Sequence, residues 1–478
     1  MEEKEELSLE ELGEEIVEAV KTRNAAKIKD IFETIPNIDI AEAIEDVDDV
    51  NVYIYIFRVV KSEYTAEFFA ELDPEIQEKI INALTDKELV ELTKNSFADD
   101  ITDTLEEMPA NVVSRVLKAC PKDIRQDVNY LLNFKDNTAG SVMTTEYLEM
   151  KDTTTIKDAI KIIRDKGRDA ETIYTIFVRD STRTLVGTVD LDELIFADED
   201  AKLEEIMNRD FVTCNADDDQ EEVANMFKRY DLNAMAVVNK ENKIIGIITI
   251  DDVVDIIVEE ATEDIAHLAA VSTMDEPYLK TPTLKLVLKC VPWIIVLMIL
   301  QVFSAMILSS FETAISQFAI LAVFTPLIMD AGGNSGGQTT TMIVRSLSLE
   351  EFEGKDYGKV VWKELRVASV IGLIVSSFAF GWLMFEMSVG IINTDSINDI
   401  GGNFYGNVAL VSLLVASTLF VTMLISRLVG CSLPFLAKLI KLDPAVVCGP
   451  ITTTMVDIIS LITYFLLWTQ VLAPIIFK

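Results

Sequence analysis

From Leu284 to the C-terminus the chain runs through five apolar segments, at about residues 284–309, 315–343, 363–388, 407–429 and 446–476. Each is long enough to cross about 30 Å of hydrocarbon at about 1.5 Å per residue. Nothing else in the sequence constrains the fold as tightly. In hydrocarbon every backbone N–H and C=O has to be satisfied within the segment, so membrane-crossing helices are expected. Lys285, Lys289, Arg345, Lys355, Lys359, Lys363, Arg366, Arg427, Lys438 and Lys441 all fall on one side of these segments. The loops near 309–315 and 389–406 hold no Lys or Arg. The positive-inside tendency makes the basic side cytoplasmic. The expectation is a multi-pass protein of the cell membrane with its N-terminus in the cytoplasm and, with five spans, its C-terminus outside.

Charge separates the chain into two solvents. Of its 41 Lys+Arg and 79 Asp+Glu, residues 281–478 hold 11 and 12, which leaves 30 and 67 for residues 1–280. A strongly acidic soluble half precedes a nearly neutral apolar one. Such a surface repels nucleic acid and attracts cations. Cys120, Cys214, Cys290, Cys431 and Cys448 are scattered without a CxxC pair, which argues against a disulfide framework or a thiolate zinc site. His267 is the only histidine, so any metal is held mainly by oxygen, which points to hard cations such as Mg²⁺, Ca²⁺ or Mn²⁺. The charged opening MEEKEELSLEELGEEIVEAV is not the pattern of a cleavable signal peptide.

Residues 1–135 carry only helical patterning. Pro74, Pro109 and Pro121 suit the first turns of new helices, so short helices in a superhelical array are expected. Residues 136–198 and 199–262 then repeat one another. VMTTEYLEMKDTTTIKDAIKII aligns with IMNRDFVTCNADDDQEEVANMF, and TIFVRDSTRTLVGTVDLDEL aligns with AMAVVNKENKIIGIITIDDV. Each copy reads strand, helix, strand, turn, strand, helix. The pair resembles tandem CBS domains, an α/β regulatory module that often binds nucleotides. The resemblance implies ribose contacts at Gly246, Thr249 and Asp252 of the second copy. In the first copy Asp190 replaces the expected hydroxyl residue. A connecting helix over 263–283 and a transmembrane domain over 284–478 complete the order.

One of the apolar segments is not apolar throughout. LIMDAGGNSGGQTTTMIVRS carries Asp330, Asn334, Gln338 and four glycines at membrane depth. A carboxylate at mid-span costs roughly 2.5–3.5 kcal/mol on insertion scales and marks a protein-lined or wet path. Asp457, in GPITTTMVDIISL, enters from the opposite side and reaches a similar depth. Gly332, Gly333 and Gly336 let backbones approach closely or unwind. Glu312 and Glu386 lie near span ends, where headgroup or solvent exposure is the default. Glu364 opens the third span and reads as a cytoplasmic anchor.

PLIMDAGGNSGGQTTTMIVRSL, LPFLAKLIKLDPAVVCGPITTTMVDIISLITYF and TIDDVVDIIVEEATEDIAHLAAV resemble the MgtE-type magnesium channel/transporter family. The order of helical N-domain, paired CBS domains and five spans matches as well. The resemblance implies a homodimer around one central pore, with the pore aspartate on Asp457 and the GGNxG element on Gly332, Gly333, Asn334 and Gly336. Asp330 and Thr453 complete the candidate pore set. Two Asp457 carboxylates on a two-fold axis would attract a dication far better than a monovalent ion.

Two acidic clusters accompany the pore residues. One is Asp99, Asp100 and Asp103. The other runs down the helix that leaves the second CBS copy, at Asp251, Asp252, Asp255, Glu259, Glu260 and Glu263. Like charges at i,i+4 oppose a helix unless a cation bridges them. The resemblance implies that cytosolic Mg²⁺ sits between such clusters and closes the pore. Mg²⁺ is then both substrate and gating ligand, with ATP a further ligand at the CBS pair. The alternatives are a broader carrier of Mn²⁺ or Co²⁺ and a non-transporting CBS receptor for adenine nucleotides. An enzyme is disfavoured, because there is no Walker-type GxxxxGK[ST] and no nucleophile–base pairing.

Overall fold

The computed structural model describes residues 8–273, 278–279, 281–349, 351–352, 354–392 and 404–476. The chain divides into two compact units, Met1–Ile257 and Val258–Lys478.

The first unit opens with ten helices between Leu9 and Leu131. Each has 8 to 13 residues, too short to persist alone, so packing rather than propensity holds them. Ser8 and Thr85 start their helices with reciprocal capping boxes, Ser8 with Glu11 and Thr85 with Glu88. Pro74 occupies the first turn of Pro74–Ala83. Pro109 and Pro121 sit one position earlier than expected, as the caps of Ala110–Ala119 and Lys122–Leu131. Alternate helices stack in a ladder: Leu9–Lys21 on Asn37–Ile44, then Ser62–Ala70, Asp86–Asn95 and Ala110–Ala119. Ile16, Ile28, Ile40, Ile56, Phe68 and Ile80 are fully buried along its axis.

Two three-stranded sheets follow. The first holds β1 (Glu149–Lys151), β2 (Thr175–Arg179) and β3 (Leu185–Asp190). The second holds β4 (Thr213–Asn215), β5 (Ala234–Val238) and β6 (Ile244–Thr249). Each has one parallel and one antiparallel pairing, and each has a register shift at the same place, Val178/Arg179 and Val237/Val238. The repeat read from sequence is therefore repeated down to a bulge. The copies also exchange their lead-in segments. Thr144 bridges to Ile247 in the second sheet, and Asn208, leading into the second copy, bridges to Thr188 in the first.

One helix, Ile250–Leu268, leaves β6 and continues into the second unit. The helix expected over 263–283 thus exists only as far as Leu268. Ala270 takes a left-handed φ of 56°, and the next helix starts at Thr283, behind Pro282. Residues 274–277 and 280 of that expectation lie outside the described residues.

Among the described residues four helices are long and apolar enough to cross a membrane: Thr283–Ser310, Gly354–Val389, Phe404–Leu439 and Ile451–Ile475. The expected count was five. The remaining candidate, Ile320–Ser348, has 29 residues, but Asp330, Asn334, Gln338 and its glycines dilute its apolar content. It begins later than the expected 315 because Glu312–Gln317 forms a separate short helix. The last segment is α-helical over Pro444–Leu467 and turns π-helical at Trp468–Leu472. There the Trp468 ring stacks on Phe318 at 4.7 Å, and Phe465 stacks on Phe311 at 4.8 Å. Helices Ile320–Ser348, Phe404–Leu439 and Pro444–Leu467 pack on one another, and Tyr357–Val389 packs on Phe404–Leu439. Below they are called the glycine, Arg427, Asp457 and Glu364 helices.

Candidate functional site

The glycine helix has two faces with different chemistry. Gly332, Gly333, Ser335, Gly336, Thr339 and Thr340 are buried against its neighbours, whereas Asp330, Asn334 and Gln338, spaced i, i+4, i+8, are exposed in a row. The Asp457 helix meets the glycine helix at Gly333, on the buried face beside that row. A Cβ added there would lie 2.9 Å from Thr453 Cγ2 and 3.6 Å from Asp457 Oδ1. The close approach at Gly333 is to Thr453, while the Asp457 carboxylate lies at ordinary contact distance. Asp330 is within electrostatic reach of Asp457. The structure therefore gathers Asp330, Gly333, Thr453 and Asp457, with Asn334 next to them on the same exposed face. Gly332 and Gly336 face inward instead: their missing side chains admit Thr422, Ser460 and Val456 in one case, Thr452 and Val456 in the other. They serve close packing.

Glu364 is not a solvent-facing anchor. It is buried, and Arg427 Nη1 donates to its Oε2 at 2.9 Å. Arg427, counted above with the loop cations, lies inside its helix at 3% exposure.

In the first unit several acidic residues gather into one neighbourhood. Asp99 and Asp100, at the start of helix Ala98–Glu106, share it with Asp252, Asp251, Glu146 and Glu171. Burial, then Asp100 and Glu171, hold the Asp99 carboxyl well above its usual range. Burial and Asp252 push Asp100 up to about 6, and burial and Asp100 push Glu171 up to about 7. Burial likewise lifts Asp252 to about 6, against the Thr249 hydroxyl that donates to it at 2.8 Å. Asp99 Oδ1 and Glu171 Oε2 are buried without a hydrogen-bond partner. Asp255 borders the same neighbourhood: it acts on Asp252 and on Glu71, whose carboxyl is raised by burial first and then by Asp255. Asp103 lies one turn along from Asp99 on an exposed face.

Sequence reasoning missed Glu146 and Glu171, which stand far from either acidic run. The one local signal is the pair of hydroxyls before Glu146. Thr144 and Thr145 each donate to it at 3.0 Å, while Ala98 N–H donates to its other oxygen at 3.2 Å. Glu146 thereby caps the helix that carries Asp99. Among the described residues no group of three or more His, Cys, Asp or Glu forms a ready metal cage. The orphaned oxygens of Asp99 and Glu171 are what a hydrated cation would satisfy.

The run from Asp251 to Glu263 does not act as one cluster. Glu259 and Glu260 lie further along the helix, beyond Ile257, the last residue of the first unit. Glu263 belongs with the end of the same helix, where His267 Nε2 is 3.5 Å from Glu263 and Nδ1 is 3.4 Å from Asp443. Asp443 caps the Asp457 helix by accepting from Ala445 N–H at 2.8 Å. Leu268 packs among Val344, Ala437, Ala445 and Cys448. A Cβ on Gly449 would lie 2.7 Å from the Leu268 carbonyl oxygen. The end of the connecting helix thus rests on the first turns of the helix that carries Asp457.

At the CBS pair, Gly246 makes room for protein rather than ligand, since an added Cβ would meet Met143 Sδ at 2.6 Å and the Thr144 carbonyl at 2.8 Å. In the first copy Thr175 donates to Asp190 at 3.0 Å, so that carboxylate is engaged within its own sheet.

The chain matches known proteins over most of its length. Residues 325–467 match the family described as MgtE, divalent cation transporter; residues 35–137 match the MgtE intracellular N domain; residues 139–200 and 203–259 match the CBS domain. The chain is 30% identical over 459 residues to the magnesium transporter MgtE of Thermus thermophilus, covering 95% of this chain and 97% of that one. It is 29% identical over 442 residues to that of Bacillus subtilis, covering 92% and 93%. Among solved structures it resembles the soluble part of a magnesium transporter, with TM-score 0.50 and 24% identity, over 53% of this chain and 100% of that one. A further likeness, with TM-score 0.48 and 30% identity over 51% and 99%, is to the cytosolic domain of the Mg²⁺ channel MgtE in complex with ATP. The chain is not an enzyme: it belongs to the MgtE family of magnesium transporters.

Proposed function

We propose that this chain conducts Mg²⁺ into the cytoplasm down its electrochemical gradient and closes when cytosolic Mg²⁺ fills its acidic clefts. The glycine helix is the fifth crossing, tolerated in lipid because its polar row faces an ion path rather than acyl chains. Two chains pair about that path, so that one Asp457 from each holds a hydrated ion, with Asp330, Asn334 and Thr453 beside it. The N-terminus and both CBS copies are cytoplasmic and the C-terminus is outside. The observation that carries this reading is the exposed row of Asp330, Asn334 and Gln338, with Asp457 within electrostatic reach of Asp330 and the two helices meeting closely at Gly333 and Thr453.

Gating follows from charge. Without Mg²⁺, Asp99, Asp100, Glu171 and Asp252 repel one another across the first unit, and a bound cation removes that repulsion. The helix Ile250–Leu268 begins beside Asp252 and ends on the Asp457 helix, so it is the part that carries the change to the path. ATP contacts Thr249 and Asp252 at the second CBS copy and is linked to the same carboxylate. The test is Mg²⁺ uptake by proteoliposomes holding the full-length protein, with Mn²⁺ and Co²⁺ run in parallel. Asp457→Asn is expected to abolish uptake while leaving insertion intact. Near-wild-type uptake by that variant removes the site assignment.

A further inference from the structure

Among the described residues one ion pair has both side chains almost wholly buried, and the proposed path makes no use of it: Arg427 with Glu364, 3% and 11% exposed. Arg427 Nη1 donates to Glu364 Oε2 at 2.9 Å, and Arg427 Nε is buried without a partner. A guanidinium keeps its proton in any protein environment, so here the charge is permanent. Apolar side chains of similar volume would join two helices at least as well as a buried ion pair. Packing alone therefore does not explain it.

Its position does. The turn of helix that carries Arg427 lies on the buried face of the glycine helix, at Gly336 and Thr340, behind the row of Asp330, Asn334 and Gln338. The carbonyl of Ser426 is 3.4 Å from where a Gly336 Cβ would be. Gly430 approaches so closely that its own Cβ would fall 2.5 Å from the Gly336 carbonyl. The Thr340 hydroxyl donates to the Gly430 carbonyl at 3.2 Å. An unbalanced positive charge on this turn, in a medium of low dielectric, would repel a dication twice as strongly as a monovalent ion.

We propose that Glu364 is a positioning residue for transport. Its carboxylate cancels the charge of Arg427 and holds the guanidinium against the Glu364 helix, so that the ion path along the other face of the glycine helix stays attractive to Mg²⁺. The inference rests on the Mg²⁺ path proposed above.

The test is Mg²⁺ uptake by proteoliposomes of the full-length protein, comparing wild type, E364Q, R427Q and the double variant. The readout is the Mg²⁺ concentration that gives half-maximal rate. E364Q leaves a lone positive charge and is expected to raise that concentration about tenfold or more. R427Q leaves no positive charge and is expected to leave it unchanged or lower. The double variant, neutral overall, is expected within about threefold of wild type. A purely structural pair predicts instead that R427Q, which removes the larger and more buried side chain, is the most damaging. The proposal is overturned if both single variants raise the concentration alike, or if the double variant behaves as E364Q does. Should E364Q fail to fold, a raised value in R427Q or in the double variant is still enough to overturn it. Absence of uptake by wild type would refute the Mg²⁺ path itself, and this inference with it.

Discussion

Replacing Asp100 by asparagine should stabilise the Mg²⁺-free protein, although it removes a charge from an acidic surface. The Asp100 carboxyl, ordinarily near 3.8, is pushed up to about 6, by burial first and then by Asp252. At 1.36 kcal/mol per pH unit this is about 3 kcal/mol of differential stabilisation between the two protonation states. The folded state holds this proton more tightly than the unfolded chain does. Its contribution is therefore fully present below pH about 4, fades as pH rises through about 6, and is lost above it. At pH about 7.5 without Mg²⁺ the wild type carries the whole penalty, and an amide of the same shape carries none. Because Asp252 and Glu171 also adjust when a neighbour is neutralised, the net gain should be about 1–3 kcal/mol. For a unit of this size that raises the melting temperature by about 3–10 °C. Calorimetry of the full-length protein in detergent with EDTA would measure it. The gap should narrow towards pH about 5 and on adding Mg²⁺ at pH about 7.5. A variant that melts at or below wild type at pH about 7.5, or a gap that ignores pH, would refute the reasoning.

Two packing changes probe the membrane half. Gly449→Ala places a methyl against the Leu268 carbonyl and should lift the connecting helix off the Asp457 helix. Its expected signature is uptake that persists at Mg²⁺ concentrations that silence wild type, and unchanged shut-off would count against the contact as a gate. Gly430→Ala drives a Cβ into the Gly336 carbonyl and should cost about 1–3 kcal/mol, read as a lower melting temperature in detergent. An unchanged melting temperature would show that these helices can separate freely.

Much of this molecule could be read in advance where local pattern and tertiary role coincide. The duplicated strand–helix–strand pattern survives as two sheets with matching bulges, because period-two alternation and turn residues fix strands locally. The polar character of the glycine helix was legible because Asp330, Asn334 and Gln338 interrupt an otherwise apolar run, whereas their exposure along one face came from the structure. What resisted reading depends on partners distant in the chain. Glu364 and Arg427 each look like interfacial charges until their helices pack and bury both, since nothing within a turn of either announces the other. Glu146 and Glu171 join the acidic cluster only once the first CBS copy is folded onto helix Ala98–Glu106. The connecting helix was misplaced because its acids continue the helical pattern, whereas its stop is set by the backbone turn at Ala270.

The crossed lead-ins of the two CBS copies have a consequence for how this region is built. Thr144 is laced onto Ile247, more than a hundred positions downstream, and Asn208 is laced back onto Thr188. Met143 fills the hollow over Gly246, and Met207 fills the equivalent hollow over Gly187. Like two hands clasped at the wrists, neither half is whole without the other. Duplication here produced one indivisible body, and a strain felt at either sheet is shared by both at once.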